Sequence, residues 1–330
     1  MPLPFLIAEI GSVHDGSFGN ALKLIEAAAA CGADAVKFQT HIAAAETLRD
    51  APMPPYFKGE PRFEYFERTG FKPAQWRALK AACEEAGVMF LSSPFSLEAV
   101  DLLEDVGVGA YKIPSGEVTN IPLLAKIART GKPVLLSSGM SDWAELDAAV
   151  AALRPGGPIV VLQCTSAYPC PPERVGLNVL AEMKARYGVA VGFSDHTLGY
   201  AAACAAVALG AETVEKHFTF SRLMYGSDAV NSMEPAEFRV LADTLRDIRA
   251  MRAAPVDKND LGPYREMKRI FEKSVVAARD LPAGAELAEA DLAFKKPGDG
   301  LPASRWRELV GRRLARAIAA DRQIRQEDLA

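Results

Sequence analysis

The sequence predicts an α/β protein, a (β/α)8 barrel followed by a small β-rich module. Up to about residue 220 the chain repeats one unit, and this unit occurs eight times. Each unit is a short β-rich apolar run, a polar cluster and a stretch with helical periodicity, which is typical of parallel strands joined by helices. The length of 330 residues exceeds the ~250 residues of such a barrel, so a second module is expected.

The eight apolar runs are the candidate barrel strands. They lie at Phe5–Ile10, Ala35–Thr40, Val88–Phe95, Ala110–Ser115, Pro133–Gly139, Ile159–Ser166, Val189–His196 and Thr213–Thr219. Helical periodicity between them predicts helices at Asn20–Cys31, Pro73–Ala86, Ser96–Val106, Trp143–Leu153 and Tyr200–Leu209. An open doubly wound sheet would alternate in the same way, but no GxGxxG motif follows the first run, so the closed barrel is favoured.

Three segments depart from this repeat. The insertion Glu46–Gly70 is proline-rich and longer than an ordinary barrel loop, and such loops usually serve the binding face. A long helical pattern at Pro235–Arg252 ends the barrel, and turn-forming residues follow it. We therefore assign residues 1–253 to the barrel, 254–269 to a linker and 270–330 to the second module.

The second module is predicted to consist of short strands separated by turns. Strand-like runs lie at Ser274–Ala278, Leu292–Lys295 and Ala315–Ile318. Two segments of similar sequence occur at 279–287 and 319–325. A module of about 60 residues buries little surface of its own, so we expect it to dock on another surface.

The composition of the chain argues against several classes of function. The hydrophobic fraction of 49% is that of a soluble globular protein, and the net charge of -4 provides no basic field for a nucleic acid or an anionic membrane. No apolar stretch reaches the ~20 residues of a membrane span, and the N-terminus lacks a signal-peptide pattern. The five cysteines form no CxxC pair, so we expect a cytoplasmic protein without a disulfide framework.

Polar side chains cluster where the predicted strands end. In a barrel these ends frame the mouth, where catalytic groups stand. The strand ends carry Glu9, Lys37, Gln39, Ser92, Ser93, Lys112, Ser115, Glu117, Ser137, Ser138, Thr165, Ser166, Ser194, Asp195, His196, Glu215, Lys216 and His217.

Lys37 and Lys112 stand inside apolar runs, where a charge is costly unless it has a partner. One interpretation is an internal salt-bridge network with Glu9, Glu117 or Glu215. The favoured one is an anion site, because serines at neighbouring strand ends supply donors for phosphate or carboxylate oxygens.

Each of the four histidines follows a predicted strand. His196 and His217 end adjacent strands, so their imidazoles could converge on one metal that keeps open positions for substrate. The alternative is a pair of core histidines bonded to the backbone. His14 and His41 are expected to be loop or supporting groups, and Cys164 a small packing residue.

These residues resemble the sialic acid (N-acetylneuraminate) synthases with their legionaminic and pseudaminic acid relatives. The matching stretches follow the family's order over nearly the whole chain: Ala8–Gly11, Val36–Thr40, Ser93–Ser96, Tyr111–Glu117, Leu136–Met140, Cys164–Pro169, Ser194–Thr197 and Glu215–Thr219. The tail resembles the family's antifreeze-like (SAF) domain. The resemblance implies that this domain caps the barrel of the other subunit in a domain-swapped homodimer.

The resemblance also implies the reaction and the residue roles. The substrates would be phosphoenolpyruvate and a hexosamine-type aldehyde, and the cofactor a divalent metal, Mn²⁺ or Mg²⁺, on His196 and His217. Phosphoenolpyruvate would be held by Lys37, Ser93, Lys112, Ser115, Ser137, Ser166 and Ser194. The sugar would contact Glu9, Gln39, Tyr168, Asp228 and Lys296, with Glu117 and Glu9 as the catalytic carboxylates.

The chain departs from the family pattern at three places. Where the family often has Gly-x-Asn-His-x-Gly, residues 11–16 lack the Asn and have Val13 before His14, and Lys296 stands where Arg is usual. Lys offers a point charge instead of a planar fork, so the two are not equivalent in sugar contact. Ser93 and Ser166 replace Thr and Asn of some members.

Rival interpretations remain open. Another acceptor, such as a 2,4-diacetamido hexose, mannose or a 6-phosphorylated sugar, would leave the same residues in place. An aldolase would use Lys37 or Lys112 as a Schiff base. A non-enzymatic interpretation takes the second module as a carbohydrate- or partner-binding unit.

Overall fold

The computed structural model describes residues 5–52 and 59–330. The chain divides into two compact units, Met1–Ala254 and Pro255–Ala330, and each is described by itself. Pro54 and Pro55 of the predicted insertion lie outside the described residues.

The first unit is a closed barrel of parallel strands in the order β1 to β8, which confirms the predicted fold class. The strands are β1 Leu6–Gly11, β2 Ala35–Thr40, β3 Met89–Pro94, β4 Tyr111–Ile113, β5 Val134–Ser137, β6 Ile159–Cys164, β7 Ala190–Asp195 and β8 Val214–His217. Each overlaps its predicted run but usually ends earlier. Most of the polar residues named at the strand ends lie within the last residues of the strands, and Ser115, Glu117, Ser138, Thr165, Ser166 and His196 stand in the loops that follow.

Helices surround the barrel. They are α1 Phe18–Ala30, α2 Ala43–Glu46, α3 Arg62–Thr69, α4 Pro73–Glu85, α5 Leu97–Val106, α6 Ile121–Ala128, α7 Trp143–Leu153, α8 Val179–Tyr187, α9 Ala201–Ala208 and α10 Pro235–Ala253. Side-chain N-caps start several of them: Ser17, Ser96 and Asp142 each accept a hydrogen bond from a backbone N–H of the first turn. The predicted insertion contains α3, and its first residue, Glu46, is the last of α2.

An apolar layer closes the lower part of the barrel interior, and a larger core fills the space between strands and helices. The inner layer consists of Ile7, Ala35, Leu91, Ala110, Leu135 and Leu162, one from each of six strands or strand starts. The polar side chains stand above this layer, at the carboxyl ends of the strands. The pairing register sets Glu9 of β1 opposite both Lys37 of β2 and His217 of β8.

The second unit contains α11 Arg265–Phe271 and an antiparallel pair, β9 Ser274–Ala277 with β10 Leu292–Lys295. Helix α11 begins inside the predicted linker. The predicted strand Ala315–Ile318 is wrong: Ile318 forms only an isolated bridge with Leu281, because the chain crosses its neighbour at a single residue pair instead of running alongside it.

The same local arrangement occurs twice in the second unit, at and around the two similar segments. Arg279 binds the buried carboxylate of Asp291, and Arg316 binds that of Asp328 in the second copy. Each of these carboxylates also accepts a backbone N–H, from Ala288 or Arg325, at the start of a short 3₁₀ turn. A separate apolar cluster that includes Val275, Leu281, Leu292, Leu314 and Ile324 gives this unit its own core.

Candidate active site

A cavity of about 420 Å³ opens at the carboxyl ends of the barrel strands, within the size range of small-molecule sites. The predicted site residues that line it are Glu9, Lys37, Gln39, Lys112, Ser115, Ser137, Ser166, Tyr168, Ser194, His196, His217 and Asp228. Residues far apart in the sequence therefore share one polar cavity, because the parallel strands all end at this side of the barrel.

Lys37 is buried on β2 between two carboxylates. Its Nζ lies 2.9 Å from Glu9 Oε2 and 3.7 Å from Glu215 Oε2. It also donates to Ser93 Oγ at 3.4 Å. Burial alone would lower the pKa of Lys37, but Glu215 and Glu9 outweigh burial and raise it. Lys37 is therefore held as an ammonium ion.

Lys112 reaches the same cavity from β4. Its Nζ donates to Ser137 Oγ at 2.8 Å and lies 3.4 Å from Glu215 Oε1, which in turn accepts from Ser194 Oγ at 2.9 Å. Burial lowers the pKa of Lys112 despite this carboxylate. Burial would raise the pKa of Glu215, but the two lysines outweigh it and lower that pKa.

An internal salt-bridge network is therefore present, and its carboxylates are Glu9 and Glu215. Glu117 is not part of it. Both ammonium groups still border the cavity, and so do Ser115, Ser137 and Ser166. The hydroxyls and ammonium groups together offer a set of donors suited to an anion with several oxygens.

His196 and His217 lie side by side at the cavity wall, with ring centroids 5.6 Å apart. His196 Nδ1 lies 2.9 Å from the carbonyl oxygen of Thr165, so this nitrogen is the donor and Nε2 keeps its lone pair. His217 Nδ1 is buried without a hydrogen-bond partner. Burial lowers the pKa of His217, which favours the neutral imidazole that metals bind.

Nε2 of His196 and the unpartnered Nδ1 of His217 belong to two side chains that line the same cavity, and such a pair of ring nitrogens fits a divalent cation. Among the described residues no group of three or more His, Cys, Asp and Glu side chains is arranged to hold a metal, so such an ion would keep open positions for water and substrate. The pKa of His196 is raised, because Cys164 and the Thr165 carbonyl outweigh burial, so a metal would compete with a proton for Nε2 of this ring.

A further part of the cavity wall, next to the histidines, is formed by Gln39, Glu9, Asp228 and Tyr168. Gln39 Nε2 donates to Glu9 Oε1 at 2.8 Å, and Asp228 accepts the backbone N–H of Ser12 at 3.2 Å. The ring of Tyr168 packs on His196 with centroids 4.2 Å apart. This wall combines hydrogen-bonding groups with an aromatic face, a pattern common in sugar sites.

Two predicted site residues of the barrel unit, Ser93 and Glu117, do not line this cavity. Ser93 is fully buried behind Lys37. Glu117 ends a 3₁₀ turn that starts at cavity residue Ser115, and its carboxylate accepts from Asn120 at 2.8 Å. Lys296 belongs to the second unit, where its Nζ lies 4.9 Å from the centre of the Phe271 ring.

Sequence reasoning missed several residues that border the cavity. Arg62, Tyr65 and Phe66 reach it from α3, and Phe95 from the loop after β3. Their only sequence signal is their position in or beside a long barrel loop. Glu215 was considered only as a partner of the lysines, although it stands two residues before His217 on one strand and therefore faces the same way.

Among the residues that the structure describes, no helix is both long and apolar enough to cross a membrane.

Fold and site together define a barrel enzyme with a polar cavity at the carboxyl ends of its strands. The chain belongs to the NeuB family: the model of that family matches residues 24–256, and the SAF domain model matches residues 272–330. Both matches confirm the resemblance on which the sequence analysis relied. Since the family consists of synthases, the non-enzymatic interpretation is not retained.

Relatives and solved structures agree with this assignment. The chain is 36% identical to N,N'-diacetyllegionaminic acid synthase of Campylobacter jejuni, covering 99% of this chain and 100% of the relative. It is 34% identical to N-acetylneuraminate-9-phosphate synthase of Homo sapiens, over 98% and 92% of the two chains. The structure of N-acetylneuraminic acid synthetase from Leptospira borgpetersenii superposes with a TM-score of 0.70 at 30% identity, covering 81% of this chain and 90% of that one.

Proposed function

We propose that this protein is a metal-dependent synthase that condenses phosphoenolpyruvate with the open-chain form of N-acetylmannosamine or a related hexose. The product is a nine-carbon sugar acid of the sialic acid type, and phosphate leaves by C–O cleavage. The observation that carries the proposal is the convergence of two buried ammonium groups, several serine hydroxyls and a histidine pair on one cavity.

Phosphoenolpyruvate is assigned to the lysine side of the cavity. Lys37 and Lys112 supply charge for its phosphate and carboxylate oxygens, and Ser115, Ser137 and Ser166 supply neutral donors. Ser194 already holds Glu215, and Ser93 holds Lys37, so these two serines act by fixing the charged groups.

His196 and His217 are the residues that would hold a divalent metal, Mn²⁺ or Mg²⁺. When bound, such an ion supplies Lewis-acid polarisation of the aldehyde oxygen. The protein side chains then have the task of holding the two substrates so that C3 of phosphoenolpyruvate faces the aldehyde carbon.

The sugar is assigned to the wall formed by Glu9, Gln39, Tyr168 and Asp228. Its hydroxyl groups can donate to the two carboxylates and accept from the amide of Gln39. We also assign Lys296 of the SAF domain to the sugar, following the resemblance.

The reaction forms a C–C bond between C3 of phosphoenolpyruvate and the aldehyde carbon. Positive character then develops at C2, where water adds before the C–O bond to phosphate breaks. Burial raises the pKa of Glu117, which suits a carboxylate that takes a proton from this water and passes it on. Its 3₁₀ turn starts at cavity residue Ser115, so it stands at the edge of the proposed phosphoenolpyruvate site.

The decisive experiment is an assay of phosphate release with phosphoenolpyruvate, Mg²⁺ or Mn²⁺ and a panel of hexoses. The panel contains N-acetylmannosamine, a 2,4-diacetamido hexose, mannose and a 6-phosphorylated N-acetylmannosamine. Release that depends on one acceptor and disappears with chelator supports the proposal and names the acceptor. No release with any hexose would reject it.

A Schiff-base aldolase is the second candidate, because burial lowers the pKa of Lys112 and so favours the nucleophilic amine. Borohydride trapping with pyruvate distinguishes the two: a covalent adduct on Lys112 supports the aldolase, and its absence together with metal-dependent phosphate release supports the synthase.

We further propose a cytoplasmic location and a domain-swapped homodimer. The five cysteines support the cytoplasmic location, since all of them are free thiols. The SAF match at residues 272–330 supports the second.

A further inference from the structure

His41, which the reaction assigned above does not use, lies at the edge of the cavity in a closely packed arrangement. It follows β2 directly, and its ring is stacked between Phe66 and Phe95 with centroid distances of 3.7 and 4.1 Å. Its Nδ1 lies 2.7 Å from Glu46 Oε1, and the two side chains are only 6% and 4% exposed. A histidine held on both faces and at its edge has a fixed orientation.

The other ring nitrogen of His41 continues a chain of polar contacts into the site. Nε2 lies 3.0 Å from Gln39 Oε1, while Gln39 Nε2 donates to Glu9 Oε1 at 2.8 Å. Glu9 is ionised, because its other oxygen lies 2.9 Å from the Lys37 ammonium. The sequence Glu46–His41–Gln39–Glu9 therefore links the insertion to the proposed sugar site.

The donor and acceptor requirements of this chain decide where the protons are. A carboxylate only accepts, so the NH₂ group of Gln39 must face Glu9 and its oxygen must face His41. His41 Nε2 must then donate to that oxygen, and Nδ1 must donate to the Glu46 carboxylate. Both ring nitrogens carry a proton, so His41 is an imidazolium ion.

The surroundings of His41 suit such a cation. Glu46 supplies a matching negative charge, and the faces of Phe66 and Phe95 attract a positive ring within ~6 Å of their centres. A neutral His41 beside an ionised Glu46 would require the amide of Gln39 to turn over. That would place its oxygen against the Glu9 carboxylate with no proton between them.

We propose that His41, held as an imidazolium by Glu46, is a positioning residue that fixes Gln39 and Glu9 for the acceptor sugar. By holding the amide oxygen, it leaves the second N–H of Gln39 free to meet a sugar oxygen in the cavity. This role rests on the proposed function, since it needs a sugar on the Glu9 side. It also makes Phe66, and so helix α3, part of the acceptor site.

The protonation state can be tested without any assumption about the reaction. ¹⁵N NMR of the intact protein with Mg²⁺ at pH 7.5 resolves the ring nitrogens of its four histidines, and His41→Gln assigns the His41 signals by their loss. We expect both ring nitrogens of His41 to be protonated. One unprotonated ring nitrogen at this pH would overturn the proposal.

The positioning role is tested by Glu46→Gln, an isosteric change that removes the charge opposite His41. We expect KM for the sugar to rise about tenfold or more, the effect typical of losing a hydrogen bond to a charged group, with KM for phosphoenolpyruvate nearly unchanged. The matched control is Glu26→Gln, the same change on an exposed carboxylate of α1 that binds Lys23, and it should leave both constants unchanged.

An equal rise of both KM values in Glu46→Gln, or an unchanged sugar KM, would refute the positioning role. Absence of phosphate release by the unaltered protein with every hexose would instead reject the proposed function, while the NMR result would still decide the state of His41.

Discussion

Glu215→Gln tests the charge arrangement on which the proposed site depends. The change keeps the shape of the side chain and an oxygen that can accept from Ser194, but it removes the negative charge shared by Lys37 and Lys112. The three groups are buried, so solvent screens their interaction weakly.

The expected cost follows from the distances. At 3.4 and 3.7 Å each ammonium gains about 4–5 kcal/mol of Coulomb energy from Glu215 at an effective dielectric constant near 20, before desolvation. The loss of stability has an upper limit, because an unpaired lysine can become neutral at pH 7 at a cost of about 5 kcal/mol. We therefore expect the free energy of unfolding to fall by about 3–5 kcal/mol, the usual cost of breaking a buried pair.

Urea unfolding followed by circular dichroism at pH 7 measures this loss. Glu182→Gln is the matched control, since Glu182 is exposed on α8 and binds Asn178 one turn away, and it should change stability by about 0.5 kcal/mol or less. A loss below about 1 kcal/mol in Glu215→Gln would refute the reasoning. Phosphoenolpyruvate should also raise the unfolding midpoint of the variant more than that of the unaltered protein.

Three further predictions concern the metal, the coupling of ligands and pH. His217→Ala should abolish phosphate release yet keep the circular dichroism spectrum, and full activity would refute the ligand assignment. Calorimetry should find phosphoenolpyruvate binding at least tenfold tighter with Mg²⁺ than with chelator; equal affinities would contradict the charge argument. Burial lowers the pKa of His14 to about 4, so its share of stability is present above pH 6.5 and lost as pH falls to 4. The free energy of unfolding, measured at pH 6.5 and pH 4, should fall by about 3 kcal/mol less in His14→Phe than in the unaltered protein. The same fall in both proteins would refute the burial argument.

The barrel was predictable because its strands are buried on both faces and therefore appear as continuous apolar runs. β2 occupies its predicted range, Ala35–Thr40, and the other strands lie within or close to theirs. The shared position of the strand ends then follows from parallel topology alone. This is why residues as distant in sequence as Lys37 and His217 could be assigned to one cavity.

The choice of ion-pair partner was not predictable from strand ends alone. Glu117 stands in a 3₁₀ turn after β4 and bonds Asn120, whereas Glu215 stands within β8 and faces the interior. The alternation of side chains along β8 holds the relevant signal: Glu215 and His217 share one face, and Lys216 points to the other, where it binds Asp195.

The contribution of α3 had no sequence signal beyond its position in a long barrel loop. Phe66 of α3 stacks on the ring of His41, and the sequence gives no indication of this contact. Contacts of this kind depend on tertiary packing, which local periodicity does not encode. The same reason explains why Ala315–Ile318 resembled a strand: Ile318 packs in the core of the second unit, but the segment pairs with its neighbour at this one residue and does not run along it.

The internal salt bridges and the anion site are compatible once charges are counted. Lys37 and Lys112 are balanced by Glu9 and Glu215, so a multiply charged anion that enters this cavity meets nearly compensated surroundings instead of two free cations. Asp228 adds a further carboxylate to the lining. A divalent cation on His196 and His217 would restore the balance. The lysines then orient the anion while the cation compensates its charge, and this division requires the two ligands to bind cooperatively.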